Sequence, residues 1–174
     1  MKLKLILLLS ALICFSFVPS GTSVYQLQFH SYGHQTISLN NFQGKKIITF
    51  FFDAFNPNAN KIRFFDSLNK ANQNKAVVLG IPATDFSSGG TFNLDSLSAN
   101  VSFQISDSAH VKKGSINQHS LAGWLTDTAQ NMHHSEDIVD ENFFYIINEK
   151  GELIARLHYG KVSKDNFLNK IINQ

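Results

Sequence analysis

The chain has 174 residues, of which 43% are hydrophobic and 16% charged, with 15 basic and 13 acidic side chains and a single cysteine. That balance fits one folded domain with a sizeable core and excludes a disulfide-stapled mini-protein or a low-complexity disordered chain. The formal net charge of +2 gives no electrostatic case for nucleic acid or an anionic membrane as partner.

Lys2 and Lys4 precede an apolar run from Leu5 to Val18, which gives way to small and turn-forming residues over 19–23. This is the pattern of a secretory signal peptide, so residues 1–23 are expected to be removed and residues 24–174 to act outside the cytoplasm, secreted or periplasmic. Cleavage after Ser20 and after Ser23 fit equally well. The run is too short for a stable membrane span. Lys2 and Lys4 leave with the segment, so the remaining 13 basic side chains balance the 13 acidic ones. Cys14 lies inside the same segment, behind an Ile13 too bulky for a lipid-attachment site, and the mature chain is expected to carry no thiol.

Residues 24–29 and 36–39 roughly alternate apolar and polar around a turn at Ser31-Tyr32-Gly33, as in a short edge hairpin. Ile47-Ile48-Thr49-Phe50-Phe51-Phe52 is a continuous run rich in β-branched and aromatic residues, expected as a strand covered on both faces. Asn56 reads as the N-cap of the next helix, with Pro57 at its first position. Over residues 58–72, Ile62, Phe65 and Leu68 recur at helical spacing while Lys61, Arg63, Asp66 and Lys70 are expected to face outward. A second buried strand over 76–81, ended by Pro82, completes a βαβ unit with a right-handed crossover.

A Gly/Ser-rich loop over 84–91 leads to a short helix over 93–100 and a strand over 102–106. A helix over 118–127 carries Leu121, Trp124 and Leu125 as its apolar stripe, and a polar loop follows over 128–140. Strands over 143–147 and 153–157, joined by the tight turn Asn148-Glu149-Lys150-Gly151, form an antiparallel hairpin. A last helix, capped by Ser163, runs through Phe167, Leu168, Ile171 and Ile172. This order predicts an α/β, thioredoxin-like fold: a central mixed sheet flanked by helices, with an extra N-terminal β-hairpin.

On that layout four stretches resemble the glutathione peroxidase family. Ser38-Leu39-Asn40-Asn41-Phe42-Gln43-Gly44-Lys45 is similar to the segment entering the family's first central strand. Leu79-Gly80-Ile81-Pro82-Ala83-Thr84-Asp85-Phe86 resembles its Gly-Phe-Pro-Cys-Asn-Gln-Phe signature. Asn117-Gln118-His119-Ser120-Leu121-Ala122-Gly123-Trp124-Leu125 resembles its Asn…His-Pro-Leu-Tyr…Trp-Leu helix entry, and Glu141-Asn142-Phe143 falls where the family has Trp-Asn-Phe. The resemblance implies that Asn56 stands at the peroxidatic cysteine or selenocysteine position, Asp85 at the active-site glutamine and Glu141 at the tryptophan, leaving Asn142 as the retained asparagine. Such peroxidases attack the peroxide with a thiolate or selenolate, which an amide cannot replace.

The expected function is therefore a non-catalytic binding or accessory module for an unknown small molecule or protein, with no cofactor and no catalytic residue. Two alternatives remain. His133 and His134, beside Glu136 and Asp137, offer imidazole and carboxylate groups to a zinc or copper ion. Asp85 and Glu141 could serve an enzyme of another type as acid and base, provided the fold brings them together. His119 matches a family position and is expected to have a structural role at a helix start.

Overall fold

A computed structural model describes residues 21–87, 89–90, 94–162, 168 and 171–172. Residues 1–20 of the expected signal peptide, Thr91 and Asn93 at the junction of the loop and the short helix, and Ser163 and Phe167 of the last helix lie outside the described residues.

Two short strands, β1 (Gln28–His30) and β2 (Thr36–Ser38), pair antiparallel as a separate sheet. The expected first strand begins later than its alternation suggests, because Val24–Gln26 is a 3-10 turn. Ser23 caps that turn, and Trp124 Nε1–H donates to the Thr22 carbonyl at 2.7 Å. Thr22 and Ser23 are thus built into the fold.

The main sheet contains β3 (Lys46–Asp53), β4 (Ala76–Ala83), β5 (Gln104–Ile105), β6 (Phe143–Ile147) and β7 (Leu153–His158), in the order β5-β4-β3-β6-β7. β3, β4 and β5 run parallel, whereas β6 and β7 are antiparallel to their neighbours. The all-apolar stretch of β3 is buried because it is central and covered on both faces. Pro82 lies within β4 instead of ending it. Its carbonyl accepts from Ala109 N–H on the side away from β3, where β5 has already ended, so no ladder donor is lost.

α1 (Ala59–Asn72) packs Ile62, Phe65 and Leu68 on one face of the sheet, and Phe65 stacks on Phe50 with ring centroids 3.9 Å apart. Asn69 ties helix to strand, since its Oδ1 accepts from Val78 N–H and its Nδ2 donates to the Ser102 carbonyl. Gly80 sits beneath this aromatic cluster, where a Cβ would lie 2.8 Å from Phe103. α2 (Leu94–Asn100) and α5 (Tyr159–Val162) belong to the same side, with Leu168 and Ile172 buried there. α3 (Ser120–Leu125) covers the opposite face with Leu121, Trp124 and Leu125. The polar loop that follows contains a short helix, α4 (Thr128–Asn131), started by the Asp127 side chain. Among the described residues no helix is long and apolar enough to cross a membrane.

Candidate functional site

The C-terminal tip of β3 is shaped by Asp53. Its Oδ1 accepts from Phe55 N–H at 2.8 Å, Asn56 N–H at 3.3 Å and Ser87 Oγ–H at 2.9 Å. Because Asp53 takes these amides, Asn56 is not the helix cap; its residue is exposed. The cap is Asn58, whose Oδ1 accepts from Asn60 and Lys61 N–H at 3.0 and 3.2 Å, and Pro57 precedes it. The Asx turn that Asp53 forms was the available sequence signal for this arrangement.

Lys61, expected to face solvent, is buried instead. Its ammonium donates to the Phe51 carbonyl at 2.8 Å and lies 3.9 Å from Glu141 Oε2. Burial lowers its pKa to about 8, against opposing pulls from Glu141 and Asp140. Glu141 Oε2 is itself buried without a hydrogen bond. Asn142 is exposed; its N–H donates to Asp140 Oδ1, and its carbonyl accepts from Tyr159 N–H.

Asp85 follows the end of β4 and turns toward the opposite layer. Its Oδ2 accepts from Val111 and Lys112 N–H, both at 2.9 Å, and lies 3.9 Å from His110 Nδ1. Its Oδ1 is buried without a hydrogen bond. Asn56, Asp85, Glu141 and Asn142 all lie just beyond the same end of the three interior strands, after β3 and β4 and before β6. No hydrogen bond or ion pair among the described residues joins Asn56, Asp85 and Glu141 to one another, and each carboxylate is engaged by a different layer.

The histidine loop is organised by buried Asn131. Its Oδ1 accepts from His133 and His134 N–H, both at 2.7 Å, while its Nδ2 donates to the Trp124, Leu125 and His134 carbonyls. His133 is exposed, whereas His134 turns inward with its ring 5.9 Å from that of Tyr145. Burial and the Arg156 charge lower the His134 pKa. Among the described residues no group of three or more His, Cys, Asp or Glu side chains is placed to hold a metal ion. His119 has the structural role expected of it: its Nδ1 accepts from Leu121 N–H at the start of α3, and burial lowers its pKa to about 4.

No family model and no curated protein sequence matches the chain. Its structure is similar to two glutathione peroxidases. Trgpx in its apo form has a TM-score of 0.66 and 18% identity, with 89% of this chain and 98% of that one covered. For T. cruzi GPX1 the TM-score is 0.68 and the identity 17%, covering 87% and 95%. A thioredoxin-like superfamily protein is also similar, with a TM-score of 0.56, 18% identity and coverage of 88% and 95%. At these identities the likeness establishes the fold: a five-stranded mixed sheet flanked by helices, with an added two-stranded sheet, in the thioredoxin-like class.

Proposed function

We propose that the mature chain is a secreted or periplasmic glutathione-peroxidase-like domain that acts without a peroxidatic thiol, as a binding or accessory module for a small molecule or protein. The observation that carries this reading is the exposed Asn56 just past the central strand, in a chain whose single cysteine is Cys14. A selenolate or thiolate is the group that attacks peroxide in this chemistry, and no other side chain at the tip of β3 supplies an equivalent nucleophile. The carboxylates of Asp85 and Glu141 fit the same reading, since each is engaged within its own layer, Asp85 Oδ2 by two backbone amides and Glu141 by the Lys61 ammonium at 3.9 Å. Cleavage after Ser20 would keep Thr22 and Ser23, the two residues that anchor the N-terminal segment to Trp124 and to the first turn.

The purified mature protein is expected to consume hydrogen peroxide and an organic hydroperoxide no faster than buffer, with either glutathione or reduced thioredoxin as donor. Thiol-dependent turnover well above that background would refute the proposal.

A further inference from the structure

The β1–β2 hairpin is fastened to the edge of the main sheet where Ser31 bridges Ser106. Tyr32 N–H donates to the Ile105 carbonyl at 3.0 Å, and Asp107 N–H to the His30 carbonyl at 2.9 Å. The chain then turns back at once, since Ser31 N–H donates to the Gln35 carbonyl at 2.7 Å and Gln35 N–H to Ser31 Oγ at 3.1 Å. β2 consequently pairs with β1 and not with β5. Between the hairpin and β5 lies a cavity of about 430 Å3, walled by the hairpin, by Asn41 and Phe42 after it, by α2 and by the edge of β5. That volume is in the range of small-ligand sites.

Its walls carry uncharged hydrogen-bonding groups together with aromatic surface. Side-chain amides come from Gln35, Asn41 and Gln104, three exposed residues of the lining, and among the described residues none of these amides has a hydrogen-bond partner. Each offers two N–H donors and a carbonyl acceptor to the cavity. Serine and threonine hydroxyls of the lining add further donors and acceptors. Tyr32 and Phe42, half-buried and packed against the core, contribute the aromatic surface. No Lys, Arg or His stands among the lining residues, and the one carboxylate, Asp95, is engaged by the Tyr32 hydroxyl.

This composition selects by exclusion as well as by fit. An anion would find no cation here and would lie beside the Asp95 charge. A wholly apolar ligand would cover the amides without replacing their bonds to water, at about 1–3 kcal/mol for each group left unsatisfied. A neutral ring with hydroxyls around its rim and C–H groups on its faces avoids both costs. Its hydroxyls donate to and accept from amides, and its faces pack on aromatic rings. That is the chemistry of a pyranose sugar.

We propose that this cavity binds a neutral saccharide, with its hydroxyls on the Gln35, Asn41 and Gln104 amides and its C–H faces against the aromatic residues of the lining. No residue of the β3 tip lines the cavity, so the site is separate from residue 56 and does not depend on whether the domain reduces peroxide.

The test is calorimetric titration of the mature chain with methyl glucoside and methyl galactoside, the corresponding methyl uronides serving as anionic counterparts and tetramethylammonium as a cationic probe. At least one neutral glycoside is expected to bind about fivefold or more tightly than its own uronide and more tightly than tetramethylammonium. Asn41→Ala and Gln104→Ala are each expected to weaken it about fivefold, the value of one neutral hydrogen bond. Both residues are exposed and their amides unpartnered among the described residues, so the unliganded Tm of each variant should be unchanged. Undetectable binding of both glycosides up to about 10 mM, equal or tighter binding of the uronides or of tetramethylammonium, or an unaltered affinity in both folded variants would each overturn the proposal.

Discussion

Asn56 lies just past the tip of β3, exposed, in surroundings that do not favour an anion. The Asp53 carboxylate is 3.3 Å from the Asn56 amide nitrogen, and the first turn of α1, which begins at Ala59, already has its leading N–H groups occupied by the Asn58 side chain. The nearest buried cation, Lys61, is committed to the Phe51 carbonyl and to Glu141. A cysteine placed here would therefore meet a negative charge and little of the helix-terminus field that lowers thiol pKa values. Asn56→Cys is expected to give a thiol with a pKa at or above the ordinary value of about 8.5, read from the pH dependence of its alkylation by iodoacetamide, and no peroxide turnover. A thiol pKa below about 7 would show that the β3 tip can activate a nucleophile.

At the level of elements, the start of α1 separates the two asparagines. Asn58→Ala removes the acceptor for two first-turn amides and is expected to cost about 1 kcal/mol in urea unfolding, while Asn56→Ala should change stability by less than about 0.5 kcal/mol. The reverse ranking would place the cap at Asn56. Both residues are cap formers next to Pro57, so composition alone could not choose between them; Asp53, three residues earlier, decides it by taking the amides of Phe55 and Asn56. The strands were legible for a simpler reason. β3, β4 and β6 are buried apolar runs whose length and flanking turns leave little choice of conformation, while β7, only partly buried, was marked by the tight turn that joins it to β6. The 3-10 turn at Val24–Gln26 and the short helix α4 escaped because each is set by a capping side chain, Ser23 or Asp127, and not by an apolar period. Lys61 escaped because its place depends on the Phe51 carbonyl of the preceding strand, β3, which helical spacing does not encode. The cavity beside the N-terminal hairpin was invisible for a similar reason, since only the bridge from Ser31 to Ser106 brings its walls together.

For the whole molecule, the buried ionisable groups set how stability responds to pH. His119 has its pKa lowered from 6.5 to about 4 and Lys61 from 10.5 to about 8, both by burial. In each case the unfolded chain holds the proton more tightly than the fold, so it binds more protons between the two values and stability rises with pH across that window. The His119 contribution is complete above pH 6.5 and is lost as pH falls toward 4. The Lys61 gain begins near pH 8, because below that the ammonium is charged and desolvated in the fold, and it continues toward 10.5. At about 1.4 kcal/mol per tenfold change in proton affinity, each group accounts for about 3 kcal/mol over its full window. Tyr25 and Tyr145 act in the opposite sense at the alkaline end. Burial raises both phenols above 10.0, so the unfolded chain releases their protons first and stability turns down there. Urea midpoints measured from pH 4 to 10 should therefore climb, level off between about 6.5 and 8, and climb again, with the downturn from the phenols setting in only at about pH 10 and above. Lys61→Met should abolish the second climb while leaving the first. His119→Asn, which retains a capping side chain at the start of α3, should reduce the first, to which His134 also contributes, and leave the second. A wild-type curve that only declines above pH 8, or a second climb that survives in Lys61→Met, would show that Lys61 is not the buried ammonium the packing against Phe51 and Glu141 makes it.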